Sequence, residues 1–326
     1  SGRLNFGVHA KTFHFLSLGV ALGIALFMPI LAFGENAEKV VRIGYQKSGA
    51  FLLVKNEGSL EKRLGPLGWR VEWKEFPSGP PLLEALNAGS LDVGHSGDAP
   101  LIFAQSAGIA FEYIGATSPA PESAGIVLPK GSTIQTVAEL RGKRVAFAKG
   151  SSSHFLLARA LGEAGLTFND IKPVYLQPSD ARAAVQSGSV DAWAIWDPFY
   201  AAAEVDGEAR VLRSGQGLSA HRELYFARRD FLTAHPDIVA PLLAALRETG
   251  ERALKDPAAT AKFLASKLGI NEAVMLKSEL RKPRYEAEPM GEASIADQQK
   301  VADTFFQLGL VPKAIRAADA VFQAKQ

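Results

Sequence analysis

One phrase written twice constrains this chain more than any other feature of it. Ala85, Gly89-Ser90-Leu91-Asp92 and Val93 return as Ala184, Gly188-Ser189-Val190-Asp191 and Ala192 at an offset of 99, and Asp98 then falls on Asp197. Phe76-Pro77-Ser78 matches Gln177-Pro178-Ser179 at an offset of 101, and Lys47 matches Lys149 at 102. One such match is noise. Three in the same order, drifting by three residues, point to two lobes of one design, the first beginning near Val40 and the second near Ser123.

Each phrase is a short β-rich run, a turn of Gly, Ser, Pro or Asp, and then apolar residues at helical spacing. The pattern predicts strands at 40–45, 69–76, 91–94, 111–116, 125–128, 144–148, 173–177 and 190–196. Helices between them imply parallel pairing with right-handed crossovers. From about residue 222 one strand-like run, 224–227, precedes helices predicted over 236–255, 257–268, 271–280, 294–308 and 312–323. A helical tail cannot add a third parallel sheet, so its predicted place is against the first lobe. The expected fold class is α/β, with two similar lobes of mixed, mostly parallel sheets: 35–120 plus 222–326 form lobe one and 121–221 lobe two. Crossovers near 119–123 and 215–222, poor in large apolar residues, have the composition of hinges.

Residues 1–34 carry Arg3, Lys11 and no acid, an apolar run over 15–33, and Ala32-Phe33-Gly34 with small side chains at the −3 and −1 positions. They read as an export signal cleaved before Glu35. A membrane anchor is the other reading, since 15–33 is long enough to span, but Pro29 sits late in the run and no basic cluster follows. The chain has 36 basic and 34 acidic residues; without its first 34 residues it balances at 34 of each. It therefore projects no field for nucleic acid. The absence of cysteine excludes disulfides, thiolate zinc sites and cysteine nucleophiles.

Enzyme signatures are missing as well. Gly94-His95-Ser96-Gly97-Asp98 fails the nucleophile-elbow pattern at its last position, and there is neither a P-loop nor a dinucleotide fingerprint. His95, His154, His221 and His235 do not stand at metal-ligand spacing. Ser59 and Lys62 match S-x-x-K on an amphipathic helix, where the charges read as a solvated face.

In open α/β sheets ligands bind beyond the carboxyl ends of strands, where helix starts collect free N–H groups and a positive dipole end. Here those ends read Gln46-Lys47-Ser48-Gly49, Ser78-Gly79-Pro80-Pro81, Ser96-Gly97-Asp98, Thr117-Ser118-Pro119, Gly150-Ser151-Ser152-Ser153, Pro178-Ser179-Asp180 and Trp196-Asp197-Pro198. Hydroxyls and glycines dominate, and cations are few. Ser151, Ser152 and Ser153 either cradle an anion or cap a helix with serines to spare. Asp98 and Asp197 are either caps or, at matching positions of the two repeats, opposite walls of one cleft. Trp196 either covers the carbon part of a ligand or belongs to the core.

Ser78-Gly79-Pro80-Pro81-Leu82-Leu83-Glu84-Ala85-Leu86, Gly97-Asp98-Ala99-Pro100, Glu122-Ser123, Lys149-Gly150-Ser151 and Asp191-Ala192-Trp193-Ala194-Ile195-Trp196-Asp197-Pro198 follow one another behind the apolar leader. In that order they resemble the periplasmic aliphatic-sulfonate-binding proteins of ABC importers. The resemblance spans about 40–231; the tail is similar in size and helical character only. It implies the type II periplasmic-binding-protein fold, whose two lobes close on a ligand. A sulfonate would be held by Ser151, Ser152 and Ser153, with Gly79, Gly97, Asp98, Thr117, Glu122 and Ser123 along the cleft and Trp196 and Asp197 on its far wall. Gln46, Ser78 and Pro80 complete the ligand-binding set. The implied partners are a small organosulfonate and an inner-membrane permease with its ATPase subunit; the implied state is a periplasmic monomer without cofactor or catalysis. Proteins of this kind also bind taurine or nitrate, or act in the cytosol on a thiamine-precursor pyrimidine, which the leader argues against. The chemistry agrees, because a sulfonate is always ionised and only accepts hydrogen bonds, so neutral N–H and O–H donors suit it. Carboxylates at Asp98, Glu122 and Asp197 would repel a second anionic end and welcome a cationic one.

Overall fold

Val41, Ile43 and Tyr45 alternate into the core along β1 (Lys39–Tyr45), and Gly44 on its other face is buried against Leu82 and Leu91. The computed structural model describes residues 38–282 and 287–324, so the expected cleavage site at Gly34 lies outside the described residues. β1 pairs in parallel with β2 (Trp69–Glu75) and β3 (Val93–Ser96). After β4 (Phe111–Ala116) the chain leaves for a second sheet made of β5 (Ala124–Pro129), β6 (Arg144–Phe147), β7 (Lys172–Tyr175), β8 (Ala192–Trp196) and β9 (Ala209–Ser214), then returns as β10 (Leu224–Arg228). The strand orders are β2-β1-β3-β10-β4 and β7-β6-β8-β5-β9. In each sheet four strands point one way, and the strand arriving from the other lobe, β10 or β5, runs antiparallel between its neighbours.

The repeated Gly-Ser-x-Asp phrase proves to be a clamp on the backbone. Asp92 accepts the Arg42 backbone N–H at 2.8 Å and its guanidinium at 2.8 and 3.0 Å. Asp191 accepts the same groups of Arg144 at 2.7, 3.0 and 3.1 Å. The phrase thus ties the turn before β3 to β1 in the first lobe and the turn before β8 to β6 in the second.

The two crossings run side by side. Thr117 N–H donates to the Glu223 carbonyl and Ala120 N–H to the Ala220 carbonyl, both at 2.9 Å. The helix Val239–Lys255 buries Leu242, Leu246, Thr249 and Ala253 at helical spacing and lies on the helices Ala50–Glu57 and Ser59–Leu64 of the first lobe. Two tail elements also reach the second lobe: Val274, on the helix Glu272–Leu280, packs on Ala201 and Ala202, and Phe305, on the helix Glu292–Gln307, meets Phe155 edge-on.

Two expectations need correction. β9 was not expected, because Arg210 and Arg213 break its apolar pattern; it is an edge strand, and only its first residue is buried. The helix expected over 312–323 is only a short 3-10 turn, Ala317–Ala320. Beyond that turn the chain lies along β4, where Phe322 N–H donates to the Tyr113 carbonyl at 2.9 Å and satisfies the backbone from a sheet edge.

Candidate functional site

Four helices begin where the parallel strands of the two lobes end: Ala50–Glu57, Gly79–Asn87, Asp98–Ser106 and Ser152–Glu163. Their cap residues, Gly49, Ser78, Gly97 and Ser151, make no side-chain cap hydrogen bond. Gly49, Gly79, Gly97, Ser151 and Ser152 line one cavity between the lobes, about 770 Å³ of atom-free space with the solvent at its mouth included. Four positive dipole ends and their first N–H groups therefore converge on one space. Gly49 has φ 78° and ψ 176°, a region reserved for glycine, and a Cβ there would land on the Glu223 carboxylate.

The lobes meet closely around this space. A Cβ on Gly97 would stand 2.8 Å from the Cβ of Ser152 in the other lobe. Ser78 Oγ donates to Gln177 Oε1 across the seam at 2.9 Å. A Cβ on Gly150 would lie 3.5 Å from Pro80. Ser78 and Pro80 thus hold the seam and do not line the cavity.

Gln46, Thr117, Ser123, Trp196 and Asp197 lie on the wall of this cavity. Gln46 is held by His95, which accepts the Gln46 backbone N–H on Nε2 at 3.1 Å and points Nδ1 at Glu223. Asp197 Oδ1 accepts from the Ala201 N–H at 2.9 Å and from Arg281 at 3.0 Å. Its Oδ2 and the hydroxyl of Ser123 are buried without a hydrogen-bond partner, an arrangement that costs stability unless a ligand supplies the bond. Burial outweighs Arg281 and Lys282 and pushes the Asp197 carboxyl up to about 6.

Besides Ser78 and Pro80, three more expected residues lie off this wall. Asp98 turns from the cavity to the crossing, where its Oδ2 accepts from Ser219 Oγ at 3.0 Å and its Oδ1 from Ala99 N–H at 2.7 Å. Glu122 is exposed on the turn Pro121–Ser123. Ser153 is buried with its hydroxyl unpartnered, because one residue further along the helix rotates the side chain off the wall.

Burial also lifts Asp98 to about 6, against roughly 4 in an unfolded chain. The folded form therefore holds this proton more tightly, and its stability falls as pH rises from 4 to 6, by on the order of 2–3 kcal/mol for this group. Asp98→Asn is expected to raise the melting temperature at pH 7.5 and to change it little at pH 4.5. An equal drop at both values would mean that the carboxylate's hydrogen bonds, and not its charge, matter there.

Charge reaches the wall from residues that do not stand at strand ends. Arg222 and Glu223 come from the second crossing and Lys282 from the tail. Arg222 is held by Asp297 and by the Thr117 carbonyl, both at 2.7 Å, and Lys282 by Glu279 at 2.9 Å. Burial alone would raise the Glu223 carboxyl, but its contact with His95 and the nearby Lys282 ammonium hold it below the usual carboxylate range. His221, at φ 46°, is driven by burial down to about 4 and is neutral at pH 7. The wall thus carries Asp197 and Glu223 against Arg222 and Lys282, a balance that weakens the expected repulsion of a second negative charge.

Residues 70–260 match the NMT1/THI5-like family. A curated Escherichia coli K12 relative named as an aliphatic sulfonates-binding protein is 40% identical over 311 residues, 94% of this chain and 97% of that protein. The chain belongs to the aliphatic-sulfonate-binding family. The alkanesulfonate-binding protein SsuA from Xanthomonas axonopodis pv. citri, solved bound to MOPS, superposes with a TM-score of 0.84 at 42% identity, covering 87% of this chain and 98% of that one. The taurine-binding periplasmic protein of E. coli K12 is 32% identical over 174 residues, 53% of this chain and 54% of that protein. The two α/β lobes are thus the architecture this chain shares with that family.

Proposed function

We propose that this protein is an exported, monomeric receptor that captures an alkanesulfonate in the periplasm and passes it to an inner-membrane ABC permease and its ATPase subunit for sulfur acquisition. One observation carries the reading: four helix starts, one of them with its Ala99 N–H already taken by Asp98, surround a cavity whose cations already have partners. Such a site offers N–H and O–H donors and dipole ends to an anion that never protonates. Phosphate would sooner call for free guanidinium or ammonium groups. Residues 1–34 act in this reading as a signal cleaved before Glu35. The protein serves as a receptor and not as an enzyme, because the His95 and Glu223 pair, the acid–base couple nearest the cavity, is committed to the Gln46 backbone and His95 is fully buried.

Calorimetric titration with ethanesulfonate, taurine, sulfate and nitrate tests this. One-to-one binding of ethanesulfonate, at least tenfold tighter than sulfate or nitrate, is expected. Nitrate bound in preference, or no sulfonate bound, contradicts it. Taurine favoured tenfold over ethanesulfonate would assign the unpartnered Asp197 Oδ2 to an ammonium group.

The serines separate the two roles that the sequence left open. A hydrogen bond to a charged group contributes about 1.5–3 kcal/mol, so Ser152→Ala is expected to weaken ethanesulfonate binding about tenfold. Ser153→Ala removes a buried, unpartnered hydroxyl and is expected to leave affinity unchanged and stability equal or higher. Equal losses of affinity in both variants would place the anion deeper along this helix.

A further inference from the structure

A second hollow lies beside the first, about 680 Å³ of atom-free space with the solvent at its mouth included. Phe76, Pro77, Pro178, Trp196 and Phe199 give it an apolar lining, and Lys47 with Glu75, 3.6 Å apart, sit on its polar side. Gln46, Ser48 and Trp196 belong to both hollows. The two spaces therefore share a wall that includes Trp196, a residue 7% exposed that ends β8 from the second lobe. The first presents helix starts, hydroxyls and paired charges; the second sets aromatic rings and prolines from both lobes beside Gln46, Lys47, Ser48, Glu75 and Ser179.

From this pairing we infer that the receptor selects sulfonates with a long alkyl or an aryl tail, the sulfonate seated on the helix starts and the tail lying past Trp196 in the second hollow. The inference rests on the sulfonate reading of the first cavity. Neither a bare anion nor a two-carbon sulfonate reaches the second space, so the aromatic lining contributes to affinity only for an extended ligand. Since Phe76 and Pro77 stand on the first lobe and Pro178 and Phe199 on the second, a tail there also joins the lobes and favours closure.

Calorimetry with ethane-, butane- and octanesulfonate and naphthalene-2-sulfonate reads the effect. Each methylene buried beyond Trp196 is expected to tighten binding about three- to fourfold until the hollow is filled, which places octanesulfonate at least thirtyfold below ethanesulfonate in Kd. Ser179 is exposed at the edge of the second hollow, so Ser179→Trp can fill that space without disturbing the core. It is expected to cut the octane-to-ethane ratio below fivefold and leave ethanesulfonate binding unchanged; Ser179→Leu should give a smaller change of the same sign, and melting curves verify that both variants fold. A flat chain-length series with ethanesulfonate still bound would overturn the tail site alone. Equal weakening of both ligands by Ser179→Trp would overturn it too, whereas failure to bind any sulfonate would remove the receptor reading along with it.

Discussion

Replacing Gly97 by leucine is expected to abolish ligand binding while leaving the protein folded. Gly97 has φ −69° and ψ −170°, which any residue adopts, so the backbone bears no strain from the change. The obstacle lies across the cleft, where the first added carbon would already stand 2.8 Å from the Ser152 Cβ. That is well inside van der Waals contact, and leucine adds three more carbons. The lobes can relieve the clash only by staying apart, which moves the helix start Ser152–Glu163 away from those of the first lobe and splits the anion site. A loss of at least a hundredfold in sulfonate affinity with a melting temperature within a few degrees of the parent is the expected pair of results. Gly97→Ala should be intermediate. Unchanged affinity in Gly97→Leu would show that the closed arrangement described here is not the one that binds.

The second large effect concerns Arg281. Its guanidinium, 15% exposed, reaches Asp197 at 3.0 Å, pairs with Glu204 and stacks 4.3 Å above the Tyr200 ring. All three partners belong to the second lobe, whereas Arg281 follows a tail helix joined to the helix Pro257–Leu268. Removing one member of a buried pair strands the other, at about 3–5 kcal/mol, so Arg281→Met should lower stability at pH 7.5 by about that amount. The sign with pH follows from Asp197. Without Arg281 its carboxyl would rise further above its present value of about 6, so below pH 6 it takes up a proton and much of the loss should return. Asp197→Asn in the Arg281→Met background should likewise recover part of it, a coupling of at least 1 kcal/mol. Strictly additive losses would mean that the two groups do not depend on one another.

The repeated phrase made the two lobes legible, though for a reason other than ligand binding: it encodes Asp92 and Asp191, which fasten Arg42 and Arg144. The helix starts were legible because Gly and Ser after a strand mark an N-terminus with approachable backbone, and Gly49, Gly79, Gly97 and Ser151 are such residues. Asp98 and Asp197 occupy equivalent positions yet differ in role, since the crossing brings Ser219 to Asp98 and the tail brings Arg281 to Asp197. Nothing local to either residue reports what arrives from a hundred residues away. Arg222 and Lys282 are not legible in the sequence for the same reason, because a charge in a crossing or after a helix looks solvated until the chain returns it to the wall. β9 was hidden by arginines that an edge strand can carry and a central one cannot.

Diffraction from crystals grown with a bound alkanesulfonate tests the central claim most directly. The account places the sulfonate group in the cavity between the lobes, its oxygens within about 3 Å of backbone N–H groups at the starts of the helices Gly79–Asn87 and Ser152–Glu163 and of the Ser152 hydroxyl, with the carbon chain leading toward Trp196. A sulfonate found at the mouth beside Lys47, with its chain buried against the helix starts, would contradict it.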